Sequence, residues 1–231
     1  MPKPPLTHAA PRKESAQTRV ANALRNAIFT GELRPGDPVT ELHLSGIHKV
    51  SQTTVREALV RLEHAGLVRR IHNVGTFVTQ MSPREVQERV RLRVMLEGLA
   101  GMEAARLITP RQLAEIDRKL DDMAKAVKAN KHFEAAQADL EFHRLVWLSA
   151  ADQTLCQVLE QLTVPLFAFV SMERRLMHEQ MTGKFLRVHE PIVKALRNHD
   201  PIAAQQAMRK HIENAYADFM GSAQPYTLAA S

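Results

Sequence analysis

From Pro83 to about Met220 the chain keeps the three-and-four spacing of amphipathic helices almost without interruption, and this decides the architecture of more than half the molecule. Breaks fall only near Thr109-Pro110, Asn130, Ala151-Asp152, Met181-Thr182-Gly183 and Asp200-Pro201, where proline, glycine or a small residue stops a helix. Five breaks make six helices. No alternating β-branched run competes with them, so the segment can bury its apolar stripes only helix against helix, in an all-α bundle of six or seven helices.

The sequence upstream is of another kind. After Ser15 a stripe of Val20, Leu24, Ala27 and Ile28 predicts a helix that stops at Thr30-Gly31, and Leu33 to Pro38 is a turn cluster. A short helix over about 40–48 and a longer one over about 52–65 follow, the second capped by Ser51, Thr53 or Thr54 and ended by Gly66. Leu67 to Arg70 and Thr76 to Thr79 alternate as strands around His72-Asn73-Val74-Gly75. The predicted order over 14–80 is therefore helix, helix, helix, hairpin. Residues 81–84 are a linker, with Pro83 suited to the first turn of the bundle that fills 85–220. A basic, Pro-rich arm (1–13) and a loose tail (221–231) lack periodicity, and the length suits two domains with a core each.

Charge separates the halves. Residues 1–80 carry 11 Lys and Arg against 6 Asp and Glu, whereas 81–231 carry 20 against 19, so the first third holds most of the net charge of +6. Three helices and a hairpin in a small basic unit describe a winged helix-turn-helix, whose second paired helix enters the major groove while the hairpin reaches the flanking DNA. Gln52, Thr53, Thr54 and Arg56 fall in the first turn and a half of that helix, where they can meet phosphates or base edges, and Val55, Leu59 and Leu62 fall on the core side. Lys49 before the helix, and His72, Asn73, Gly75 and Thr76 in the hairpin, complete the candidate DNA surface. Arg56 and Glu57 alone would read as an ordinary exposed ion pair; their placement on a winged helix is what suggests contact with DNA.

In the bundle, three histidines sit among apolar neighbours at helical offsets: His143 with Leu140, Val146 and Trp147; His189 with Phe185, Leu186, Ile192 and Val193; His211 with Ala207, Met208 and Ala215. Each is expected to point inward. Asp139 lies one turn before His143 on the same face, and several inward ionisable groups are costly unless something pairs with them. Asp139, His143, His189 and His211 are accordingly read as one metal site on three helices, with imidazole and carboxylate donors that suit Zn, Ni, Mn or Fe better than Ca or Mg. His132, His178 and His199, near helix ends, are assigned to the surface. Cys156, the only cysteine, sits in an apolar helical stripe and is read as a packed small hydrophobe. Neither a secretion signal nor an apolar run of about 20 residues stands out, so a cytoplasmic protein without a membrane partner is expected.

The segment Val50-Ser-Gln-Thr-Thr-Val-Arg-Glu-Ala-Leu-Val-Arg-Leu-Glu-His-Ala-Gly-Leu67 resembles the signature of GntR-type repressors, as does the earlier Ile28-Phe-Thr-Gly-Glu-Leu-Arg-Pro-Gly-Asp37. Departures are Gln52 for the family's usual Arg, Thr54 for Pro, Lys49 for Gly and Val74 for Arg. The operator is therefore expected to differ from the family's common one. Asp139-Leu-Glu-Phe-His143, the segment from His189 to Asp200, and Met208-Arg-Lys-His211 resemble the FCD effector domain of the FadR branch. That resemblance implies that the four metal residues ligate an ion with positions left open for water or a carboxylate effector. Arg93, in Arg93-Val-Met-Leu-Glu97, would then be a second carboxylate anchor, and Asn214 a further pocket residue. Asp152 stands where the family usually has asparagine.

These readings converge on a homodimeric transcriptional regulator, not an enzyme, that binds a palindromic operator in double-stranded DNA and answers to a small organic acid at the metal site. Two alternatives stand beside it. One is a regulator that senses metal alone; the other is a metal-dependent hydrolase, against which the chain lacks His-Glu-x-x-His, Gly-x-Ser-x-Gly and a clearly placed second inward carboxylate.

Overall fold

A computed structural model describes residues 14–176 and 186–220. The expected arm, the break near Met181-Thr182-Gly183, His178, Phe185 and the tail lie outside the described residues. The first unit consists of α1 (Ala16–Phe29), α2 (Glu41–His48), α3 (Gln52–His64), β1 (Val68–Ile71) and β2 (Gly75–Val78). The second consists of α4 (Pro83–Leu107), α5 (Pro110–Lys128), α6 (His132–Ser149), α7 (Gln153–Leu176), α8 (Glu190–Arg197), α9 (Pro201–Ala215) and α10 (Ala217–Met220). Among the described residues this is a winged helix-turn-helix followed by a seven-helix unit.

Local chemistry sets most boundaries. Ser51 caps α3 by accepting from the Thr54 amide, which leaves Thr53 and Thr54 inside the helix. Ser82 with Glu85, and Thr109 with Gln112, form capping boxes behind Pro83 and Pro110. Asn130 and Ala151, at φ 55° and 54°, turn the chain between α5 and α6 and between α6 and α7. The wing is shifted one residue from the sequence reading: Val68 pairs Val78 and Ile71 pairs Gly75, so the hairpin loop is only His72, Asn73 and Val74. Asn73 at φ 58° makes that short loop possible.

Two expectations need correction. Residues 81–84 are not a free linker, because Met81 is buried, Ser82 caps α4, and Pro83 and Arg84 belong to its first turn. Nor do the two units keep separate cores. One continuous cluster joins Val20, Leu24, Ile28, Leu59 and Leu67 of the first unit to Leu140, Trp147, Leu159, Phe167 and Ala168 of the second. The junction is tight where Gly66 ends α3: a Cβ built there would lie 2.6 Å from Pro165 Cγ of α7. Sequence periodicity shows that a face is buried but not which element buries it.

A second cluster fills the bundle, with α4 packed on α9, α6 and α7. Gly98 and Gly101 allow the close approach of α9; a Cβ on Gly101 would stand 3.2 Å from the Ala204 carbonyl. Residues Gln153–Met172 of α7 are long and apolar enough to cross a membrane, with mean hydropathy 1.4, contrary to the expectation that no such run exists. In the fold this is a core helix: Leu159, Val164, Leu166, Phe167 and Val170 are all buried.

Candidate metal centre and nucleic-acid interface

Asp139 and His143 project from one face of α6, as their spacing predicts, and His211 enters from α9. His189 does not lie within a helical stripe. It occupies the N-cap of α8, where Pro191, which has no amide to donate, falls in the helix's first turn at no cost in hydrogen bonds. The four side chains nevertheless meet. All are buried, and one donor atom from each lies within 4.8 Å of every other.

His189 Nε2 is 2.9 Å and His143 Nε2 3.6 Å from Asp139 Oδ1, and His211 Nε2 is 3.2 Å from His143 Nε2. Donors sharing one transition-metal ion at about 2.0–2.2 Å lie within about 4.4 Å of one another, so this cluster has nearly the required size. Charge argues the same way. Arg93 is buried and bonds Glu97 through Nε, the Tyr216 hydroxyl through Nη1 at 2.6 Å, and His143 Nε2 through Nη2 at 3.3 Å. Burial pushes the Glu97 carboxyl up, but Arg93 and His143 outweigh it and hold the group down at about 2. Burial likewise opposes ionisation of Asp139, and the His189 hydrogen bond and neighbouring imidazoles hold it well below the usual range. Burial, then His189 and His143, push His211 well below the ordinary imidazole value. Among the described residues two buried carboxylates thus face one buried guanidinium, an arrangement that a cation would complete.

Second contacts orient the donors. With Glu97 ionised, His143 Nδ1 donates to its Oε2 at 2.5 Å, which turns the Nε2 lone pair toward Asp139, His189 and His211. Among the described residues His211 Nδ1 has no hydrogen-bond partner, and the polar contacts of that ring lie on the cluster side. The donor set fits a first-row transition metal.

Of the effector residues, Arg93 lies in the site but already engaged, its guanidinium stacked 4.6 Å from the Phe167 ring centroid. Asn214 is exposed: three residues past His211 it rotates off the inward face, and Tyr216 at the end of α9 occupies the pocket instead. Sequence reasoning missed Glu97 and Tyr216 as site residues. Glu97 had a signal, an acid four residues after Arg93; Tyr216 had none. His132 is half-buried and His199 exposed at helix ends. Cys156 is half-buried with Sγ donating to the Trp147 carbonyl, and burial raises its thiol.

On the first unit Gln52, Thr53 and Arg56 are exposed on α3, Thr54 is half-buried, and Val55, Leu59 and Leu62 are in the core. Lys49, His72, Asn73 and Gly75 are exposed and Thr76 half-buried. Arg56 pairs not with Glu57 but with Glu41 of α2, through Nε at 3.0 Å and Nη2 at 2.7 Å.

Residues 16–78 match the model of bacterial regulatory proteins of the gntR family, and residues 88–214 match that of the FCD domain. A probable D-xylose utilization operon transcriptional repressor of Paenarthrobacter nicotinovorans is 30% identical over 207 residues, covering 88% of this chain and 90% of that protein. The repressor RspR of Escherichia coli K12 is 27% identical over 197 residues, covering 84% and 85%. Among solved structures, a GntR transcriptional regulator from Rhodococcus sp. RHA1 matches with TM-score 0.72 at 25% identity, over 90% of this chain and 99% of that one. Escherichia coli McbR/YncC shares the fold at TM-score 0.75 and 21% identity, with the same two coverages.

Proposed function

This chain belongs to the GntR family of bacterial transcriptional regulators and carries an FCD domain, and on that premise we propose that a small organic acid, bound beside a metal ion in the bundle, sets its grip on a palindromic operator. It is a DNA-binding transcriptional regulator, and two relatives are named repressors; repression is our reading for this chain as well. The observation that carries the metal proposal is the buried convergence of Asp139, His143, His189 and His211. These four would hold a divalent ion such as Zn, Ni, Mn or Fe, which when bound supplies positive charge and open positions for a carboxylate. Arg93 Nη2, beside His143 Nε2, would meet the same carboxylate.

The winged unit would dock α3 in the major groove with Gln52, Thr53, Thr54 and Arg56 near bases and phosphates, and Lys49, His72, Asn73, Gly75 and Thr76 on the flanks. One short helix reads few base pairs, so two copies on a two-fold operator are proposed, working in the cytoplasm. Leu92, Met95 and Leu99 form an exposed apolar stripe on α4 that suits a bundle-to-bundle contact.

The test is elemental analysis of purified protein, followed by operator titrations with and without chelator and a panel of carboxylates. Metal in the wild type, none in His211→Ala, and a carboxylate response lost in the variant are expected. A response to metal alone would favour the metal sensor; a protein that neither contains nor takes up a transition metal would leave the four residues a polar core.

A further inference from the structure

We infer that Glu41 is a positioning residue for base reading: it grips one edge of the Arg56 guanidinium so that the opposite edge is presented to a guanine. This rests on the docking of α3 proposed above. A guanidinium has two bidentate edges, Nε with Nη2 and Nη1 with Nη2. Glu41 takes the first, Oε1 accepting from Nε and Oε2 from Nη2. The second edge remains, with the donor spacing that matches guanine O6 and N7 in the major groove.

Exposure is arranged accordingly. The Arg56 side chain is 55% exposed and the Glu41 side chain 26%, so the cation is the more accessible partner of the pair. A long surface arginine loses rotamer freedom when it engages a base, and a partner that fixes it beforehand lowers that cost. Glu41 is itself fixed, in the first turn of α2, which is seated in the core by Leu44. Its Oε1 is also 4.0 Å from Arg70 Nη2 on the wing strand, so one carboxylate relates α2, the recognition helix and the wing. An arginine serving only as a charge on phosphate would be weakened by such a partner. An arginine serving as a directed fork is improved by it.

The test uses the full-length protein and selection from a duplex pool with a randomised centre, followed by affinity measurements across salt. Wild type is expected to favour guanine at one position of each half-site. Glu41→Gln should lose about ten-fold or more of that preference at that position alone, while affinity for random-sequence DNA is unchanged or stronger because a negative charge is gone. Arg56→Lys keeps the charge without the fork; it should flatten the same position, and the double variant should flatten it no further. Glu41→Asp keeps the charge but is one methylene too short to hold both Nε and Nη2, and should flatten the same position, so a folding defect in Glu41→Gln would not remove the test. An unchanged Glu41→Gln profile, an even loss at all positions, or tighter operator binding with the profile retained would each overturn the inference; the last would make Glu41 a brake. Arg56→Ala separates the two proposals: if it costs neither affinity nor preference, the docking of α3 itself is wrong.

Discussion

The side chains that organise the site differ in what their loss exposes. Among the described residues Arg93 is the one guanidinium facing both Glu97 and Asp139, and each carboxylate helps keep it charged against the pull of burial. In metal-free protein Arg93→Met would leave two buried carboxylates without a cation, a loss of about 3–5 kcal/mol. Glu97→Gln should cost less, since Asp139 still balances Arg93. At about 2–4 °C per kcal/mol for a chain of this size, Arg93→Met should melt about 6–20 °C below wild type. Added divalent metal should narrow the difference; equal melting temperatures for the two variants in chelator would contradict this charge arrangement. On the DNA side, Gln52 is exposed and aimed outward from the first turn of α3. Gln52→Arg should move the preferred base at one operator position from adenine toward guanine, and an unaltered selection profile would place Gln52 against the backbone instead.

At the scale of elements, the sequence was most legible where boundary chemistry is local. Pro83, Pro110 and Pro201 open helices, Asn130 and Ala151 turn between them, and Asp139 with His143 shares a face because both lie on one helix. It was least legible where chain segments far apart meet. Tyr216 reaches Arg93 across 123 positions and Glu41 reaches Arg56 around a helix corner, and nothing in the spacing of either pair announces the contact. His189 fell between these cases: its burial was legible, whereas its N-cap position depended on how Pro191 is accommodated. The junction of α3 with α7 offers an element-scale test. Gly66 has φ +68° and no room for a Cβ against Pro165, so Gly66→Ala adds left-handed strain of about 1–2 kcal/mol to a steric clash. Pro165→Ala should relieve only the clash. The double variant should therefore be more stable than the sum of the singles implies by about 0.5–3 kcal/mol, measured by denaturant unfolding; simple additivity would mean that the two residues do not press on each other.

For the molecule as a whole, the consequence lies in the core that crosses from one unit to the other. Phe167 of α7 lies beneath Arg93 and 5.8 Å from the His143 ring, while Pro165, two residues before it, meets Gly66 at the end of the recognition helix. Metal binding should therefore be felt in the stability of the winged unit as well as the bundle, because Phe167, Ala168, Leu59 and Leu67 belong to one cluster. A ligand that binds only the folded state stabilises it by RT ln(1 + [L]/Kd), about 2.7 kcal/mol at a hundred-fold excess over Kd, which at this size is an upward shift of about 5–11 °C. Calorimetry should show a single transition that moves up with metal and back with chelator. A probe confined to the winged unit, such as amide exchange at Leu59 and Leu62 of α3, should slow in step with it. In His211→Ala neither should respond. Two separate transitions, with metal shifting only one and leaving exchange in α3 unchanged, would show that the shared cluster does not couple the units, and control of DNA binding would then have to act through the relation between two copies of the chain.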